Sequence, residues 1–212
     1  TTEANCGLQN YPELVEGPKK GDDDKRLCST LLRALSPHKV IVSIGSNSEF
    51  GFEEQMLSCT SSHIVTFDCT VSNPTNKPKS TRVSFHPYCV GETDDGQFRT
   101  WDSIARIAIS TTKVSVPRIG VLKMDVEGWE WKVLPQVMRA APLYRPQQIA
   151  VELHLITHKS MNVPGFVGGV LSQHRSKLGE LRTAMNAAGY ALVDRNDNPW
   201  CSHCTEVVFV YV

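Results

Sequence analysis

The sequence predicts an α/β protein built on a doubly wound, mostly parallel seven-stranded sheet with an antiparallel C-terminal hairpin. Three observations lead there. Short apolar, β-branched runs alternate with helical stretches, as in strands covered on both faces. The first core run passes through a glycine turn into a helix, "VIVSIGSNSEFGFEEQML". The last two runs, "YALVDRN" and "TEVVFVYV", have no helix between them, which suggests an antiparallel edge.

Residues 1–36 read as an N-terminal extension with a helix, and 37–212 as the core of a single domain. The first 25 residues are polar, and their run "KKGDDDK" (19–25) reads as a solvated turn. "KRLCSTLLRAL" (25–35) has helical periodicity and stops before Pro37. "KVIVSIG" (39–45) is the first core strand, and "SEFGFEEQMLSC" is the helix after it. "HIVTFDC" (63–69) and "STRVSFHPYCVG" (80–91) are the second and third strands, followed by the polar loop "ETDDGQ". "TWDSIARIAI" is a helix and "IGVLKMDVEG" (119–128) the fourth strand. "EWKVLPQVMRAA" is a short helix interrupted at Pro135, and "QIAVELHL" (148–155) the fifth strand. A longer helix, Leu171 to Ala188, ends at Gly189. The turn-rich "DNPWCSHC" separates the two closing strands.

Charge narrows the partners. Lys plus Arg and Asp plus Glu number 22 each in 212 residues, so no net field draws the chain to nucleic acid or an anionic membrane. No apolar run approaches the ~20 residues of a membrane span. The chain opens at Thr1 with no signal-peptide pattern, which reads as a trimmed or mature form. Of seven cysteines, Cys69 and Cys89 lie in or beside apolar runs and read as small core residues. Cys6, Cys28, Cys201 and Cys204 lie in polar segments, where pairing would suit a secretory, Golgi-like lumen or a secreted protein; a cytoplasmic setting is the alternative. "CSHC" offers half a zinc site without a second Cys/His pair, so a disulfide or tight turn is the simpler reading.

Ligands of doubly wound sheets bind beyond the carboxyl ends of the strands. At the first exit Gly45 permits a tight turn, and the helix after it supplies free N–H groups. A dinucleotide fingerprint would need glycine at position 47, where this chain has Asn47. Asp68 follows Gly45 by 23 residues, the distance at which an acid commonly accepts from ribose hydroxyls. At the fourth exit, strand alternation points Lys123, Asp125 and Glu127 the same way; at the fifth, Glu152 and His154 share a face. Neighbouring strands would bring three carboxylates and an imidazole into one cleft, a set that Mg²⁺ or Mn²⁺ would neutralise. The alternative pairs Lys123 with one acid and leaves Glu152 as a solvated strand end. His86, His158, His174 and His203 read as ordinary.

"KMDVEGWEWKVL" (123–134) resembles the signature of FkbM-type, methyltransferase-like S-adenosylmethionine-dependent O-methyltransferases. The similarity runs from about Val40 to Val212 through "IVTFDCTV", "QIAVELHL" and "NPWCSHCTEVVFVYV". It implies the Rossmann-like class I methyltransferase fold and S-adenosylmethionine as methyl donor. Carried over by position, Gly45, Ser46 and Asn47 line the cofactor turn, and Glu53 reaches the amino-acid end of the cofactor. Asp68 holds the ribose, and Cys69 and Cys89, the latter in "PYCVG", lie near the adenine. Asp125 touches cofactor or metal. The mechanism this suggests places Mn²⁺ or Mg²⁺ on Asp125, Glu152 and His154, with Glu127 or His154 as the base for an acceptor hydroxyl. Trp129, Trp131 and Trp200 offer faces for sugar stacking. A sugar or glycan acceptor is expected; a small phenolic or alcohol metabolite is the alternative. An NAD-linked oxidoreductase or a non-catalytic nucleotide-binding module would be a different class.

Overall fold

A computed structural model describes residues 8–11, 25–35, 38–112, 117–156, 172–198 and 201–212. Two short strands, β1 (Leu8–Tyr11) and β2 (Lys25–Cys28), pair antiparallel, and the one-turn helix α1 (Ser29–Arg33) follows. Next come β3 (Lys39–Ile44), α2 (Gly51–Cys59), β4 (His63–Phe67) and β5 (Val83–His86). A small parallel pair, β6 (Cys89–Val90) and β7 (Phe98–Arg99), leads into α3 (Trp101–Thr111). The chain continues through β8 (Arg118–Met124), α4 (Glu130–Arg139), β9 (Gln148–Ile156), β10 (Gln173–His174) and α5 (Lys177–Ala187). It closes with β11 (Tyr190–Asp197) and β12 (Cys204–Tyr211).

The main sheet runs β11-β12-β9-β8-β3-β4-β5, with β10 beside the end of β9. The pairs from β9 to β5 are parallel, and β12 runs antiparallel to both of its neighbours. The closing hairpin forms the expected antiparallel edge, with its second strand, β12, beside β9 and its first, β11, outermost. Alternation along β3 builds the two faces. Val40, Val42 and Ile44 pack with α3 and α4, and Ile41 packs with α1 and α2. No helix among the described residues is long and apolar enough to cross a membrane.

Four local expectations change. Residues 25–28 are a strand, not the start of a helix: Leu27 and Cys28 are fully buried, and the Cys28 N–H donates to Gln148 Oε1 at 2.9 Å, fixing β2 across the sheet. The third strand stops at His86, where Pro87 cannot extend the ladder, and Cys89–Val90 pair with β7 instead. α4 runs unbroken through Pro135, because Val133, Leu134 and Val137 bury one helix stripe against the sheet and outweigh one missing hydrogen bond. The helix expected from Leu171 forms over Lys177–Ala187 and ends at Gly189 (φ +91°); residue 171 lies outside the described residues.

Candidate active site

β3 has β4 on one side and β8 on the other, so the sheet's switch point lies at its carboxyl end. A cavity of about 490 Å³ opens there, between the exits of β3, β4, β8 and β9. That volume is in the range of small-molecule sites.

The turn after β3 is shaped by protein contacts on both sides. Gly45 is left-handed (φ +79°), and a Cβ there would lie 1.7 Å from the Asp125 carbonyl oxygen. Glycine is needed because two strand exits touch, and the Lys123 ammonium donates to the Gly45 carbonyl beside them. Asn47 (φ +45°) and Ser48 (φ +64°) are also left-handed, a costly conformation outside glycine. Their cost is offset through Asp68. Its Oδ2 accepts from the N–H groups of Ser46 (2.9 Å) and Asn47 (2.6 Å) and from Ser46 Oγ (3.2 Å). Its Oδ1 accepts from Thr70 N (2.8 Å) and Thr70 Oγ1 (2.6 Å). Burial disfavours the Asp68 charge, but these bonds outweigh it and hold the carboxyl below its ordinary range. Asp68 thus takes up the N–H groups of the turn itself, ahead of the helix at Gly51.

β8 ends at Met124, so Asp125 and Glu127 are not placed by strand alternation. A turn places them, with Glu127 (φ +53°) and Gly128 (φ +103°) both left-handed. Asp125 points into a buried ion cluster. The Lys25 ammonium, 1% exposed, lies 3.4 Å from Asp125 Oδ2 and 3.7 Å from Glu152 Oε2, and it donates to Glu206 Oε1. Burial opposes the Asp125 charge, yet Lys25 and Lys123 together hold its carboxyl low. Glu152 moves up, through burial and then the Asp125 charge beside it. The two neighbouring carboxyls therefore shift in opposite directions, Asp125 down and Glu152 up.

Glu127, 62% exposed, reaches the imidazole of His154. Its Oε2 is 3.3 Å from His154 Nε2. On the far side of the ring, Nδ1 is 3.2 Å from Oε1 of Glu130, which is wholly buried and also accepts from the His154 backbone N–H. Glu130 Oε2 accepts from Gly128 N at 2.8 Å, tying the strained turn to the start of α4. Burial works against an imidazolium here, but Glu130, then Glu127 and Glu152, raise the pKa of His154 to about 9.

A family model described as a methyltransferase domain matches residues 9–211. The chain belongs to that methyltransferase family. It is a class I, S-adenosylmethionine-dependent methyltransferase with a Rossmann-like sheet. No curated protein matches its sequence significantly. Solved structures resemble it in fold alone. The Methanococcus jannaschii fibrillarin pre-rRNA processing protein is 11% identical, with 93% of this chain and 86% of that one covered and a TM-score of 0.52. A Lactococcus lactis protein provisionally called a hemolysin is 13% identical, with coverages of 85% and 82% and a TM-score of 0.52.

The methyltransferase's cavity suits its cofactor by its own donors. S-adenosylmethionine carries a sulfonium and an ammonium, and Glu49, Asp125 and Glu127 line the cavity with carboxylates. Phe67, Tyr88 and Val90 supply an apolar wall for a purine. Of the residues assigned to the cofactor, Gly45, Ser46, Asn47, Asp68, Cys69, Cys89 and Asp125 line the cavity. Glu53 does not: it is 1% exposed under β4, accepts from Thr66 Oγ1 at 3.0 Å, and burial pushes its carboxyl up. Cys69 and Cys89 are not core thiols but a disulfide beside the cavity. Cys201 and Cys204 are also bonded, Cys28 is disulfide-bonded, and Cys59 is the free, exposed thiol of the described residues.

The expected metal ligands lie close together but are held by different ionic partners. Asp125 and Glu152 face Lys25, and His154 faces Glu130 and Glu127. Asp125, Glu127 and His154, and likewise Glu152, His154 and Cys204, bring ligand atoms within 4.8 Å of one another, while the acids and the imidazole already hold those ionic partners. Trp129 lines the cavity, whereas the Trp131 indole N–H donates to the His154 carbonyl at 2.8 Å. Trp200 and His158 lie outside the described residues. Lys25, Glu130, Glu206 and the cavity-lining His203 were not legible as site residues. Lys25 hid in an acidic run, and Glu206 faces Glu152 only through the β9–β12 register.

Proposed function

We propose that the protein transfers a methyl group to a hydroxyl oxygen of a carbohydrate acceptor, with His154 as the base. One observation carries the chemistry: an imidazole at the cavity wall, fixed through Nδ1 by a fully buried glutamate. When bound, S-adenosylmethionine supplies a methyl carbon that an oxygen nucleophile can displace from sulfur. An alcohol is a weak nucleophile at neutral pH, so its proton must leave as the new C–O bond forms. Neutral His154, its Nδ1–H held by Glu130, takes that proton at Nε2. Glu127, 3.3 Å from Nε2, then stabilises the imidazolium. Asp125 keeps its charge toward the cavity for the cofactor's cationic end.

The "KMDVEGWE" stretch supports an FkbM-like O-methyltransferase over N- or C-methylation. A carbohydrate acceptor is supported by Trp129, which lines the cavity 5.5 Å from Phe98, and by the neutral overall charge. The disulfides support a secretory lumen as the working compartment.

Calorimetry with S-adenosylhomocysteine and with NADH, followed by radiolabelled methyl transfer onto methyl glycosides and onto simple phenols, tests the reading. Binding of S-adenosylhomocysteine alone and label on glycosides are expected. NADH binding, or label confined to phenols, would overturn the cofactor or the acceptor respectively.

A further inference from the structure

Three neighbouring strands deliver one carboxylate each to a single buried point. Asp125 leaves β8 beside β9, and Glu206 of β12 stands opposite Glu152 of β9 in the ladder. From the face of the sheet β2 lays Lys25 into the middle of them, 3.4 Å from Asp125 and 3.7 Å from Glu152, with Glu206 as its hydrogen-bond acceptor. The Asn198 amide donates to the remaining oxygen of Glu152 at 2.9 Å. Such a triad is what a hard divalent cation would use, with oxygens drawn in to about 2.0–2.6 Å. An ammonium and a metal cannot share that centre. The donor set as assembled therefore does not fit a metal, although the residue types do.

We infer that Lys25 is a built-in substitute for a divalent cation: a positioning residue that neutralises the acids at the strand exits and holds Asp125 at the cavity wall. Methyl transfer then needs no ion at this centre. The activity half of this inference rests on the methyltransferase reading; the cation half does not. It also gives the β1–β2 segment a part in the site that neither the cavity lining nor the family match assigns.

Mn²⁺ titration, followed by paramagnetic resonance of the free ion, tests the cation half on wild type, Lys25→Ala and Lys25→Ala/Glu206→Gln. Wild type is expected to bind no Mn²⁺ at this centre. Lys25→Ala is expected to gain a single site at least tenfold tighter than any wild-type binding, and the added Glu206→Gln to abolish it. Stoichiometric Mn²⁺ on wild type, released by Asp125→Asn, would overturn the inference, and so would a folded Lys25→Ala that gains no site. The wild-type titration decides even if Lys25→Ala does not fold. For the activity half, Lys25→Ala should lose at least tenfold in kcat and recover part of it with Mn²⁺, with Lys25→Arg intermediate. An unchanged kcat would overturn the positioning role. Failure of wild type to bind S-adenosylhomocysteine would instead sink the methyltransferase reading and leave the Mn²⁺ result standing.

Discussion

At the scale of single residues the site is governed by what surrounds His154. With a pKa raised to about 9, the imidazole is protonated at neutral pH, so kcat/KM should climb about tenfold per pH unit and level near pH 9. His154→Gln should remove that limb together with most of the activity. Glu130→Gln takes away the strongest stabiliser of the imidazolium, so the limb should move to lower pH while S-adenosylhomocysteine affinity holds. A limb that stays put would show that Glu130 acts only in folding. Gly45→Ala forces a Cβ onto the Asp125 carbonyl and should cost about 4 kcal/mol by urea unfolding. Asp125, Glu127, Glu152 and His154 were legible because acids at apolar strand ends stand out. Glu130 was not, since a glutamate at a helix start is ordinary on a surface, and only the tertiary fold buries it.

Elements were legible where periodicity and packing agreed. β3, β4, β8, β9 and the closing hairpin match the apolar runs closely. They were misread where tertiary contacts overrule local preference, as at β2 and α4. One side chain links three elements. Arg82, just before β5, donates to the carbonyls of Leu57 (2.8 Å), Thr60 (2.6 Å) and Ser62 (3.3 Å) at the end of α2. It satisfies carbonyls that the helix cannot and places a cation at the negative end of the dipole. Arg82→Ala should cost about 2 kcal/mol by denaturant unfolding and leave methyl transfer nearly unchanged.

For the whole molecule, pH should act through the same imidazole. His154 has a folded pKa of about 9 against an ordinary 6.5, so its contribution to stability is complete below about pH 6.5 and is lost as pH rises through 9. Melting temperature should fall across that window, and His154→Gln should flatten the slope. The overall class was legible from alternation alone. The position of β12 inside the sheet was not, because strand order depends on pairing partners far apart in sequence.

That distance has a consequence for synthesis. Lys25 and Glu206 meet across 181 residues, and β12 must slide between β9 and β11 before they can. A ribosome-bound chain still lacking β12 holds Lys25, Asp125 and Glu152 without their third acid and leaves a central strand's edge open. Cofactor binding should therefore switch on only after the final strand has cleared the exit tunnel. Arrested nascent chains stopped before residue 204 should bind no S-adenosylhomocysteine, and capture of the ligand by them would refute this order of events.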